Sequence, residues 1–115
     1  MKGSQLGEFE ELVLLVTGVL FPEAYGLSIR REITEQTGRS VALGAIHSAL
    51  NRLEKKGFLK SKLAEDTHER GGRRKRLFWI TASGRRAMAS SHEIRNQLWN
   101  RIPELAWKGL DYGTS

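Results

Sequence analysis

The stretch from Ala42 to Ile80 constrains the fold more than any other part of the chain. Within ALGAIHSALNRLEKKG, Ile46, Leu50 and Leu53 recur at helical spacing and give the segment one apolar stripe. Its other side carries Gly44, His47, Ser48, Asn51, Arg52 and Lys55, all small, polar or basic. Gly57 supplies a stop, because glycine enters the left-handed conformation without a Cβ penalty. FLKSKLAE follows, then the polar tip DTHERGG, the run RRKR and the return LFWI. Leu59, Ser61 and Leu63 alternate with Phe58, Lys60 and Lys62, which predicts a half-buried strand, and Leu77–Ile80 predicts its partner. A helix followed at once by a hairpin with a glycine-containing basic loop is the order of parts in a winged helix-turn-helix.

The upstream chain fits that order. Gly7–Leu20 reads as a first helix whose Glu-rich opening turn complements the positive end of the helix dipole. Apolar residues, among them Leu12, Leu15, Val16, Val19 and Leu20, nearly encircle it, so it needs cover on more than one side. That cover comes either from its own domain or from a second subunit. Phe21–Pro22–Glu23 breaks the helix. The next helix runs from Ala24 or Tyr25 to Thr37, with Ile29 and Ile33 on its core face and Gly38 as the stop. Ser40 and Val41 form an extended link. Ala42 then falls at the N-cap of the third helix, where a Ser, Asn or Asp would contribute ~1 kcal/mol by satisfying an orphan N–H.

Thr81 caps a fourth helix that continues through Met88, Ile94, Leu98, Trp99 and Ile102 until Pro103. Ile94, Leu98 and Ile102 recur every four residues, an apolar stripe left over after a helix–helix–helix–hairpin unit with its own core faces. Such a leftover is best explained as a dimerisation element. The expected fold is therefore mainly α with a small β-hairpin: a winged helix-turn-helix over residues 1–80, a C-terminal dimerisation helix over 81–102, and a loose tail over 103–115, with docking of Trp107 or Leu110 as the exception.

Charge narrows the partner. Residues 1–57 hold seven Lys/Arg and seven Asp/Glu, whereas residues 58–115 hold twelve against six, so the whole net charge of +6 lies in the second half. A basic excess confined to one part of a small chain points to a polyanion. Arg70, Arg73, Arg74, Lys75 and Arg76 crowd around Gly71–Gly72. A phosphate backbone would relieve the mutual repulsion of these charges, although a solvated charge run is the bland alternative. The candidate DNA contacts are His47, Ser48, Asn51, Arg52 and Lys55 on the third helix with Arg73, Arg74 and Lys75 on the wing. Asn pairs with adenine edges and Arg with guanine edges. His47 is either a phosphate or base contact or simply a solvated helix residue.

Other functions find less support. A protein-docking winged helix would need apolar residues on the outward side of the third helix. RNA binding would call for exposed aromatics, and Phe78 and Trp79 alternate on a strand so that one must face the core. His47, His68 and His92 share no metal-ligand spacing, no acid–base pair or nucleophile is apparent, and no cofactor is expected. The longest apolar stretch, Leu12–Val16, is far short of the ~20 residues that span a bilayer. Lys2 is followed by Glu8, Glu10 and Glu11 before any apolar run, unlike a signal peptide. With no Cys, the chain suits a reducing compartment, and the cytoplasm is the expected location.

LGEFEELVLL, AYGLSI, GAIHSALNRLEKKGFLKS and GGRRKRLFWITASGRRAM, in this order and spacing, resemble the PadR-type transcriptional regulators in their short form with one C-terminal helix. The resemblance spans roughly residues 6–99. It implies a homodimer that binds an inverted-repeat operator on double-stranded DNA, usually as a repressor. The third helix would enter the major groove, the wing would flank it, and the fourth helix would clasp the partner's first helix. Leu12, Leu15, Ile94, Leu98, Trp99 and Ile102 are the interface residues this arrangement implies. Some relatives bind flat aromatic effectors between their subunits, and Trp99 is the matching aromatic here. Asn51, Arg52 and Gly72–Arg76 follow the family pattern, whereas His47 replaces a common tyrosine and Ser48 a frequent proline, which leaves the operator sequence open.

Overall fold

Three helices build the core of the protein, and a two-stranded wing and a long C-terminal helix leave from it, in the computed structural model, which describes residues 6–65 and 74–108. Helix α1 (Glu8–Leu20) opens at Gly7, whose N–H donates to Glu10 Oε1 at 3.1 Å. Helix α2 (Gly26–Thr37) opens in the same way, with the Tyr25 N–H donating to Ser28 Oγ at 2.9 Å, and Gly38 closes it at φ 73°. Helix α3 (Leu43–Lys55) starts at Ala42 with no side-chain cap, and Gly57 turns the chain out of it at φ 83°. Val13, Leu14, Ile29, Ile33, Ile46, Leu50 and Leu53 meet between the three helices and are fully buried. Removing such side chains from water is the main stabilising term, at about 1.5–3 kcal/mol each.

Strands β1 (Leu59–Leu63) and β2 (Arg76–Ile80) pair antiparallel, with Leu59 opposite Ile80 and Leu63 opposite Arg76. Of the two adjacent aromatics, Phe78 enters the core and Trp79 stays half-buried, as the alternation of a strand requires. The Phe78 N–H donates to the Ala24 carbonyl at 2.9 Å. This bond lays the approach to α2 along the outer edge of β2, so the wing is anchored to the start of α2 as well as to the end of α3.

Helix α4 (Ala82–Arg101) is aimed by one turn of chain. Thr81 Oγ1 accepts from the Gly84 N–H at 3.0 Å and donates to the Gly57 carbonyl at 2.7 Å, while the Thr81 N–H donates to the Phe58 carbonyl at 3.0 Å. Gly84 itself is buried, and a Cβ there would run into the Phe58 carbonyl oxygen. Glycine thus sets how closely α4 approaches the wing. Ala87 and Met88 pack on the core, after which the helix leaves the body, and the molecule reaches 63 Å along its longest axis.

One expectation needs correcting. The sequence reads as loose from residue 103, but Glu104–Lys108 form a short helix, α5. The proline that ends α4 has a fixed φ that also suits the start of a new turn. The Trp107 ring then comes to lie against Trp99, with centroids 5.1 Å apart. Leu110 lies outside the described residues.

Candidate nucleic-acid interface

The outward side of α3 is an open, regular surface of the core. Gly44, His47, Ser48, Asn51, Arg52 and Lys55 are spaced three and four apart, share one face and are all exposed, opposite the buried Ile46, Ala49, Leu50 and Leu53. No large apolar residue interrupts this face, as a protein-docking helix would require. An α-helix has the dimensions of the major groove, and these side chains present hydrogen-bonding groups to whatever faces them.

The first turn of α2 joins this face to the wing. Lys75 lies exposed just before β2 with its Nζ 4.4 Å from the centre of the Tyr25 ring, a cation–π contact that orients the base of the wing. Arg31 Nη2 donates to the Tyr25 hydroxyl at 3.4 Å. The adjacent Gly26 is buried, and a Cβ on it would come within 2.8 Å of His47 Cε1. The His47 imidazole therefore rests on bare backbone at Gly26. Arg74 is exposed beside Lys75. Arg76, by contrast, donates to Ser61 Oγ at 3.0 Å, and Ser61 Oγ donates to Glu54 Oε2 at 2.8 Å. Arg70, Arg73 and the Gly71–Gly72 pair lie outside the described residues.

Arg52 is less free than its place in the sequence implies. Its Nε lies 2.9 Å from Glu10 Oε2, and Lys56 Nζ lies 2.8 Å from Glu10 Oε1, which joins the start of α1 to the end of α3. The Glu10 carboxylate is buried. Burial alone would raise its pKa, but the hydrogen bonds from Lys56, the Gly7 N–H and Arg52, with the charge of Lys56, overcome this and lower it from 4.5 to about 2. The sequence shows Glu10 only as a first-turn acid that complements the helix dipole. Its second role is invisible there because its two cations are 42 and 46 residues away. Glu11 likewise pairs across the fold, 3.0 Å from Arg95 of α4.

Because the folded pKa of Glu10 is depressed, the pair contributes stability above pH 4.5 and loses it as the pH falls toward 2. The shift corresponds to at most about 3 kcal/mol. Glu10→Gln should therefore unfold more easily than the parent protein near pH 6, with the gap narrowing below pH 4.5. Urea unfolding at a series of pH values measures this, and a gap that does not change with pH would show that the carboxylate is not stabilised by its ionic partners.

A second surface lies along α4. Leu98 is 55% and Trp99 63% exposed, and Ile94 and Ile102 are exposed beside them. Leu15 on α1 is 49% exposed, with Val19 also bare, whereas Leu12 is half-buried against the core. These side chains are the large apolar groups that the subunit leaves in water on α1 and along α4 to its C-cap. Among the described residues, no group of three His, Asp or Glu side chains could hold a metal ion, and no helix is long and apolar enough to cross a membrane.

A polar face on the third helix of a trihelical core, with a basic wing anchored beside it, defines a winged helix-turn-helix protein. Residues 15–90 match the transcriptional regulator PadR-like family. The chain belongs to that family and is a DNA-binding transcriptional regulator, a member of a family of transcription factors and not of enzymes. No curated protein matches it. Among solved structures, its fold is similar to that of a PadR-like transcription factor from Bacteroides fragilis, at 21% identity over 83% of this chain and 89% of that one, with a TM-score of 0.66. A transcriptional regulator from Streptococcus has a TM-score of 0.65 at 19% identity, covering 81% of this chain and 86% of its own. The Bacillus subtilis PadR in complex with operator DNA has a TM-score of 0.59 at 15% identity, with 94% of this chain covered but only 52% of that one. At these identities the likeness is one of fold.

Proposed function

We propose that the protein works as a homodimeric repressor on an inverted-repeat operator, with one α3 helix in the major groove of each half-site and the wings lying along the flanking backbone. The observation that carries this reading is the pair of apolar faces left exposed, one on α4 and its C-cap at Ile94, Leu98, Trp99 and Ile102, the other on α1 at Leu15 and Val19. A second copy covers both faces at once and presents two α3 helices to one duplex. Dimer symmetry then requires half-sites about one helical turn apart, or a multiple of that. His47, Ser48, Asn51, Arg52 and Lys55 serve as the groove contacts, and Arg73, Arg74 and Lys75 as backbone contacts. The Bacillus subtilis PadR in complex with operator DNA supports duplex binding by this fold, and through it the DNA side of the reading. Repression, and release by a flat aromatic effector at Trp99, are the parts of the reading that rest on family resemblance.

Selection of bound sequences from a random duplex pool tests the reading directly. The expected product is a short inverted repeat, depleted from the bound fraction when planar aromatic compounds that act as effectors are added. Recovery of sequences without dyad symmetry would overturn the dimeric operator. Stronger retention of an RNA hairpin or a single strand than of any duplex would overturn the DNA reading as a whole.

A further inference from the structure

We infer that Glu10 is a positioning residue for DNA recognition: it holds Arg52 by Nε and so presents the far edge of the guanidinium to a pair of acceptors on the duplex. This rests on the reading of α3 as the major-groove helix.

The carboxylate is a fixed point. Its Oε1 accepts from the Gly7 N–H at 3.1 Å and from Lys56 Nζ at 2.8 Å, which leaves Oε2 for Arg52 at 2.9 Å. The Glu10 side chain is 9% exposed and the Arg52 side chain 52%, so the ion pair reaches from the core to the recognition face with its anion inside. A guanidinium is planar and carries five N–H donors in a fixed fork. With Nε engaged, the plane is set and Nη1 and Nη2 remain at the outer end, where they have no partner among the described residues. Two parallel N–H groups match the O6 and N7 of guanine, or two oxygens of one phosphate. An unrestrained arginine would have to be ordered when it bound, at a cost in side-chain entropy. Here that ordering is done in the free protein by a residue that never touches DNA.

A double-mutant cycle on the duplex selected from the random pool tests the inference, in a buffer where circular dichroism shows every variant to be folded. Arg52→Ala should weaken binding at least about fivefold. Glu10→Ala should lose most of the same amount, and the double variant should be no weaker than Arg52→Ala alone. Arg52→Lys should not rescue, since it keeps the charge but loses the fork. Glu10→Gln, which retains one acceptor and the side-chain volume, should fall between the parent and Glu10→Ala. Loss confined to one base pair per half-site identifies guanine as the acceptor, and equal loss across sequences identifies phosphate; either fits the positioning role. Additive effects of the two alanine changes, rescue by lysine, or parent-like binding by the Glu10 variants would overturn it. Parent-like binding by Arg52→Ala would overturn it too, leaving the pair as a strut. Failure of the parent protein to bind any duplex would instead defeat the reading of α3 itself.

Discussion

Replacing Leu98 and Ile102 together by glutamate should yield a monomer that no longer retains an operator. Leu98 on α4 and Ile102 at its C-cap are both exposed, so a free subunit tolerates the change, whereas a dimer would have to bury four unpaired carboxylates in the seam between its subunits. Losing the second subunit removes the gain from binding two half-sites at once, expected to be about 100- to 10,000-fold. Sedimentation velocity and a mobility-shift titration on one preparation read both effects. A double variant that still sediments as a dimer would remove α4 from the interface. A monomer with parent-like operator affinity would show that one subunit suffices. The α-helical signal should hold throughout, because neither side chain contributes to the buried core.

Neutralising Arg73, Arg74 and Lys75 to alanine should weaken binding to any duplex and flatten its salt dependence. Each lost phosphate contact lowers the log–log salt slope by roughly 0.9, so three contacts lower it by about 2.7. Titrations of the selected operator and of an unrelated duplex at several salt concentrations measure the change, which should be alike on both. An unchanged slope would mean that the wing does not touch DNA. Lys75 adds a structural consequence, because its Nζ rests on the Tyr25 ring and the neighbouring Gly26 carries the His47 imidazole. Comparing Lys75→Ala alone with Arg74→Ala alone separates the two roles. Arg74→Ala should alter only the salt-dependent part of binding. Lys75→Ala should also change base preference near the start of α3, through the freed tyrosine.

What this chain's sequence determined by itself is whatever depends on near neighbours. The stops at Gly38 and Gly57, the uncapped start of α3 at Ala42, the Thr81 cap of α4 and the polar face of α3 are all decided within a turn or two of helix, so periodicity and turn chemistry expose them. The two strands were legible from the same local alternation, although within β1 only Leu59 is buried and Leu63 stays exposed, because the strand leaves the core as it runs out along the wing. Tertiary structure alone decided which of those side chains meet. Glu10 receives Arg52 and Lys56, Glu11 receives Arg95, Lys75 settles on Tyr25, and Gly84 admits the Phe58 carbonyl; most of these pairs join residues tens of positions apart. An exposed lysine and a partnered one are written with the same letter. The short α5 was hidden in the same way, because a five-residue helix has too few turns to show a period, and the one ring contact of Trp107 among the described residues is with Trp99 of the preceding helix. Local patterns follow from the geometry of one helix or strand, but the partners of buried charges and glycines depend on how separate elements pack, and that is settled only when the core closes.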